Sequence, residues 1–149
     1  MDIIQVITFS IAVLGAVLGI INTWHNLDKS KVKLKVIPKH AIPVGSADPR
    51  INFCIEITNL STFPLTISEA GFMFRGSEVR ASLVNQSFPD GSSWPKRLEP
   101  RTSATLYSQI PAPPAGSIIK CAYAMTQCGE VVTGTSVALK QIAANQTNR

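Results

Sequence analysis

The chain has 149 residues, room for one folded domain and a short appendage, and only 15% of them are charged against 45% apolar. Its net charge is +5 and its pI is near 9.4. Lys29, Lys31, Lys33 and Lys35 supply +4 of that charge within seven residues, while the chain beyond Lys35 holds ten Lys/Arg against seven Asp/Glu. A basic patch this local, next to an apolar run and with no interleaved aromatic platform, argues against a nucleic-acid partner and for a membrane-related charge.

Ile3 to Ile21 carries no formal charge, and twelve of its nineteen residues are Ile, Val, Leu or Phe. As a helix it reaches about 28 Å, close to the ~30 Å hydrocarbon core, and those twelve side chains favour insertion by about 4–7 kcal/mol. A cleaved signal is the nearest competitor. It needs a positive leader, where this chain has Asp2, and a shorter apolar core with an A-x-A-like site after it. Residues 1–28 are therefore predicted to be a retained transmembrane anchor. Trp24 sits at its interfacial end and Lys29, Lys31, Lys33 and Lys35 lie at the membrane surface. The positive-inside rule places the lysine flank in the cytoplasm. The expectation is a single-pass protein of the cell (inner) membrane, with the N-terminus outside and the C-terminal domain cytoplasmic.

Within the apolar run, Gln5, Thr8, Ala12, Gly15, Gly19, Asn22 and Asn26 recur at spacings of three and four, which places them on one helix face. Gly15 and Gly19 also form a G-x-x-x-G, the pattern that lets two helix backbones approach in a membrane. This face is expected to pack on a partner helix or on a second copy.

After Lys31 the period changes from helical to alternating. Val32, Leu34 and Val36 face one way and the lysines the other, which predicts a half-buried strand stopped by Pro38. Further strands are predicted from Ile51 to Thr58, then in LTISEAGFMF, EVRASLV, TSATLYSQI, SIIKCAYAMT and EVVTGTS, the last two as a hairpin across Gln127-Cys128-Gly129. NQSFPDGSSWPKRLEPR reads as loop, SVALKQIA as a final helical turn or two, and residues 144–149 as a disordered tail. Seven strands separated by turn signals predict an all-β two-sheet sandwich over residues 29–143.

EITNLSTFPLTISEAGF followed by LEPRTSATLYSQI resembles the immunoglobulin-like or fibronectin-type sandwiches of bacterial proteins. The resemblance covers about half the chain and implies an architecture, not an activity. The Cys…Trp…Cys core signature is absent, with Trp94 in a loop.

No catalytic, cofactor or metal constellation emerges. His25 lies at the membrane border and His40 in a loop, no G-x-S-x-G is present, and the carboxylates are scattered. Cys54, Cys121, Cys128 and His40 would match a Cys₃His count but lack a C-x₂₋₄-C knuckle. Three odd cysteines fit a reducing compartment. Against that stand three N-x-[ST] triplets, at Asn59, Asn85 and Asn145. Lys96, Arg97 and Arg101 read as a solvated basic cluster. The sequence thus predicts a non-catalytic, membrane-anchored adaptor or accessory subunit that binds a protein partner, with no small-molecule substrate. Loops His40–Arg50 and Ser87–Arg101 are its candidate contact surfaces. The alternative is a homo-oligomeric membrane effector assembled through the helix, with the sandwich sensing or gating.

Overall fold

The computed structural model describes residues 2–45, 48–84, 88–112 and 117–147. The chain forms two compact units, Met1–Lys31 and Val32–Arg149.

The first unit is a single helix, α1 (Ile3–Lys29), none of whose residues is buried. Ile4, Phe9, Leu18 and Ile20 are 76%, 65%, 64% and 70% exposed. Its hydroxyl groups are satisfied inside the helix. Thr8 Oγ1 donates to Ile4 O at 2.9 Å, Ser10 Oγ to Val6 O at 2.8 Å and Thr23 Oγ1 to Gly19 O at 2.9 Å. In lipid, where no water substitutes, that is how a spanning helix accommodates Ser and Thr. The helix is long and apolar enough to cross a bilayer, a property that an N-terminal signal sequence shares.

The second unit contains, among the described residues, eight strands and a helix. They are β1 (Leu34–His40), β2 (Phe53–Asn59), β3 (Leu65–Phe74), β4 (Arg80–Ser82), β5 (Lys96–Leu98), β6 (Ser103–Ser108), β7 (Ile119–Thr126), β8 (Val131–Gly134) and α2 (Val137–Thr147). All pairings are antiparallel, in two sheets. One has the order β1-β2-β6; the other runs β4-β3-β7-β8, with β5 paired to the start of β3. Phe53, Ile55 and Ile57 of β2 and Leu106 of β6 meet Ile67, Phe72 and Ala122 of the second sheet in one core, all at most 1% exposed. The Phe53 and Phe72 rings lie 5.1 Å apart.

The eight strands correct the expected seven. The added strand is β5, inside a stretch that reads as loop. Two of its three residues are charged, so no alternation marks it, and it exists because β3 offers Leu65, Thr66 and Ile67 as a template. Pro38 does not stop β1, which continues to His40. The phase of the ladder explains why. Ala41 N–H donates to Asn52 O at 3.1 Å and Asn59 N–H to Thr102 O at 2.9 Å. Antiparallel partners alternate between bonded and non-bonded pairs. Lys35, Ile37 and Lys39 therefore bond β2, while Pro38 faces the sheet edge, where its missing N–H breaks no ladder bond.

Two register shifts interrupt β3–β7, between Ile67 and Glu69 and between Met73 and Phe74. Each reverses side-chain parity. Ile119 is in the core while Cys121 and Tyr123 are on the outer face, although strict alternation would place all three on one side. At the C-terminus α2 runs through Thr147, across residues that read as a tail, because Leu139 and Ile142 dock it on the core at 2% and 6% exposure.

Candidate functional site

The residues singled out for the membrane helix all lie on α1. At about 100° per residue, Gln5, Thr8, Ala12, Gly15, Gly19, Asn22 and Asn26 fall in an arc of about 100°. A Cβ added at Gly15 or Gly19 would meet nothing within 4 Å. Gln5 also has a local task, since its Oε1 accepts the Asp2 N–H at 3.3 Å. Trp24 is 72% exposed and Lys29 stands in the last helical turn. The other lysines are not equivalent. Lys35 lies in β1, with Lys31 and Lys33 ahead of the strand. The Lys33 backbone is pinned, donating to Ser61 Oγ at 2.8 Å and accepting from Leu60 N–H at 2.7 Å.

Asn59 is fully buried and organises the end of the sandwich where β1 begins. Its Nδ2 donates to the carbonyls of Phe63, Leu98 and Glu99 at 2.9, 3.1 and 3.3 Å, and its Oδ1 accepts from Ser61 N–H at 2.9 Å. This amide is a structural hub, inaccessible to glycan transfer in the folded domain. Asn145 is exposed, and the Asn85 triplet lies outside the described residues.

The candidate loops have different characters. In the first, Ile42 and Val44 are each 85% exposed and flank an apolar hollow completed by Pro43, Ile51, Pro89 and Tyr107. Asp48 pairs with Arg50 at 2.8 Å, and residues 46 and 47 lie outside the described residues. The second loop, described from Phe88, is tied down. Asp90 accepts from Lys96 Nζ and from Ser92 N–H and Oγ, which holds its carboxyl well below the usual carboxylate range. Lys96 Nζ also sits 5.0 Å from the Phe88 ring, which packs edge-on against Trp94 at 5.1 Å. With only 16% of its side chain exposed, Lys96 is a structural cation, contrary to its reading as part of a solvated cluster. Arg97 pairs with Glu99 at 2.8 Å.

The edge of β6 is open among the described residues. From the ladder phase set by the Asn59–Thr102 bond, Ala104, Leu106 and Ser108 bond β2. Ser103, Thr105 and Tyr107 turn their N–H and C=O groups away from the sheet, and among the described residues no backbone bond satisfies them. The opposite edge, β1, is closed. Pro38 has no N–H, and β8 lies so near that a Cβ on Gly134 would stand 1.8 Å from Val36 O. Beside β6 runs an open trough of about 450 Å³, lined by Phe88, Pro89, Leu98, Thr105 and Tyr107 and by the Lys96–Asp90 and Arg97–Glu99 pairs. The sequence reading missed this edge. Its signal is the absence of any Lys, Arg, Asp or Glu from Thr102 to Ile119.

The thiols do not converge. Cys54 lies on the outer face of the first sheet and Cys121 on that of the second, both buried, while Cys128 is exposed in the β7–β8 turn. Burial raises the Cys54 and Cys121 thiols, whereas the Thr126 hydroxyl and the Glu130 backbone lower Cys128. Among the described residues no three His, Cys, Asp or Glu side chains are placed to hold a metal ion. No protein-family model matches the chain, and the search of curated proteins found no match.

Proposed function

We propose that the chain is a single-pass, membrane-anchored adaptor or accessory subunit whose β domain holds a protein partner at the bilayer, without catalysing a reaction. The observation that carries this reading is α1: a helix of 27 residues with no buried residue, apolar over most of its circumference. Surface of that kind is stable only in lipid or against other apolar helices. The β domain has its own core, built entirely from residues beyond Lys31. The two-sheet antiparallel arrangement supports an immunoglobulin-like reading of that domain. The lysine flank supports a cytoplasmic domain on the inner membrane, and each lysine near an anionic leaflet adds about 1 kcal/mol of attraction.

The homo-oligomeric effector is the second reading, favoured by the small-residue arc and by the open space over Gly15 and Gly19. Alkaline extraction of membranes followed by protease treatment of sealed inside-out and right-side-out vesicles tests the first. Retention in the pellet, with digestion only from the cytoplasmic side, is the expected result; release into the supernatant overturns it. Crosslinking in membranes separates the readings, because a ladder of self-products marks the effector and one foreign product the adaptor.

A further inference from the structure

We propose that the hollow between β7 and α2 binds a phosphate monoester, carried by a small molecule or by a lipid headgroup. Of the ten Lys/Arg beyond Lys35, Lys39, Arg50, Lys96 and Arg97 are held in ion pairs, and Arg80 lies over the Tyr123 ring. Arg149 lies outside the described residues. Arg75, Arg101, Lys120 and Lys140 remain, none with a carboxylate partner among the described residues. Three of those four, Arg75, Lys120 and Lys140, line one hollow of about 400 Å³. The acids of the domain are engaged elsewhere. Asp48, Glu56, Asp90 and Glu99 sit in the four ion pairs, and Glu69 accepts from the Tyr123 hydroxyl. Glu78 and Glu130 do not line the hollow. Three like charges around one space repel each other, and an anion entering it offsets that repulsion.

The backbone under all three cations is fixed. Arg75 directly follows β3, and its N–H donates to Ile118 O at 2.8 Å. Lys120 is the additional residue of the second β3–β7 bulge. Met73 pairs with Cys121 and Phe74 with Ile119, so Lys120 faces no residue of β3. A bulge of this kind re-aims a side chain, and here it sets Lys120 among the residues that line the hollow. Lys140 stands in the first turn of α2, where its N–H bonds Ser136 O at 3.1 Å beside the core residue Leu139. Thr135 adds a hydroxyl, and Ile119 and Leu139 an apolar wall. A phosphate monoester matches this set. Its charge approaches −2, three terminal oxygens accept from three cations, and the apolar wall receives the organic group that carries it. A carboxylate brings one charge and two oxygens, which leaves one cation unanswered. Every lining residue belongs to the β domain, so the site stands whether or not α1 spans a membrane.

The test uses the full-length protein in phosphatidylcholine nanodiscs, read by the amide resonances of Arg75, Lys120 and Lys140. Phenyl phosphate is the soluble probe. Nanodiscs containing phosphatidic acid present the same monoester on a lipid, and phosphatidylglycerol, a diester, is the control for surface charge alone. Saturable shifts with phenyl phosphate assign a soluble ligand, and shifts with phosphatidic acid assign a headgroup; either supports the site. Arg75→Gln, Lys120→Gln and Lys140→Gln are each expected to weaken the binding about tenfold or more. Arg101→Gln removes the same charge outside the hollow and is expected to change it by less than about twofold. Three separate variants and the readout on unaltered protein cover one that fails to fold. The proposal is overturned if neither probe shifts the three amides, or if the shifts with phenyl phosphate grow without saturating. It is equally overturned if phosphatidylglycerol acts as strongly as phosphatidic acid, or if Arg101→Gln costs as much as Lys120→Gln.

Discussion

At the residue scale, two buried polar side chains set the character of the domain. Asn59 donates to three carbonyls, and while Glu99 O keeps Thr102 N–H and Oγ1 as donors, loss of the amide leaves Phe63 O and Leu98 O one donor short. Asn59→Ala is therefore expected to lower stability by about 1–3 kcal/mol, read from the urea midpoint at constant slope. Tyr123 is the second. It is fully buried on the outer face of the second sheet, its hydroxyl donates to Glu69, and the Arg80 guanidinium lies 5.8 Å from its ring centre. Burial, with Glu69 after it, pushes the phenol pKa well above its ordinary value of 10.0. The folded state thus holds this proton more tightly than the unfolded chain. Its contribution is complete below about pH 10 and declines as pH rises beyond the unfolded value. Tyr123→Phe should lose about 1 kcal/mol at pH 8 and show a shallower alkaline decline than the parent between pH 9 and 11, measured by urea unfolding at each pH.

At the element scale, close approach is what closes one side of the sandwich. The contact of β8 with β1 depends on Gly134, where any side chain meets Val36 O. Gly134→Ala is expected to destabilise by about 1–3 kcal/mol or more, because backbone and not a flexible side-chain end must move; a thermal midpoint unchanged from the parent would show that β8 can slide away. In α1 the geometry is the reverse. Gly15 and Gly19 open onto space, so leucine at both positions leaves the isolated helix intact and fills only a surface that a neighbour would use. If the small-residue face mediates association, the double substitution abolishes it in a membrane two-hybrid or energy-transfer assay while helicity is preserved. Unchanged association would assign the face to a solitary anchor.

At the scale of the whole molecule, the two units have separate reasons to exist. No α1 residue is buried, and every core residue comes from beyond Lys31. A fragment starting at Val32 should consequently unfold cooperatively, with a midpoint within about 3 °C of the full chain in detergent, and should leave the membrane fraction. A collapsed or aggregated fragment would mean that α1 stabilises the domain. Acid should loosen the 88–101 region only well below neutrality. Asp90 is held below its ordinary range by Lys96 and Ser92, so its contribution is present at neutral pH and lost as pH falls toward that lowered value.

The sequence alone determined the long apolar helix, the change of period after Lys31, and the extent of β3, whose predicted stretch coincides with Leu65–Phe74. These are local properties: the length of an apolar run and side-chain alternation are written in consecutive residues. The first bulge leaves a trace that the alternation reading passed over: the apolar positions Leu65, Ile67, Ala70, Phe72 and Phe74 break step once, at Ser68, whose Oγ bonds Met125 O at 3.2 Å. Tertiary structure decided the rest. β5 forms only against β3, Pro38 is admitted because the ladder phase turns it to an edge, Lys96 is ordered by Asp90 and Phe88, and α2 extends because Leu139 and Ile142 find the core. The open edge of β6 belongs to this second group. A backbone group is free or paired according to which strands flank it, and strand order is a property of distant segments meeting, which no window of sequence contains.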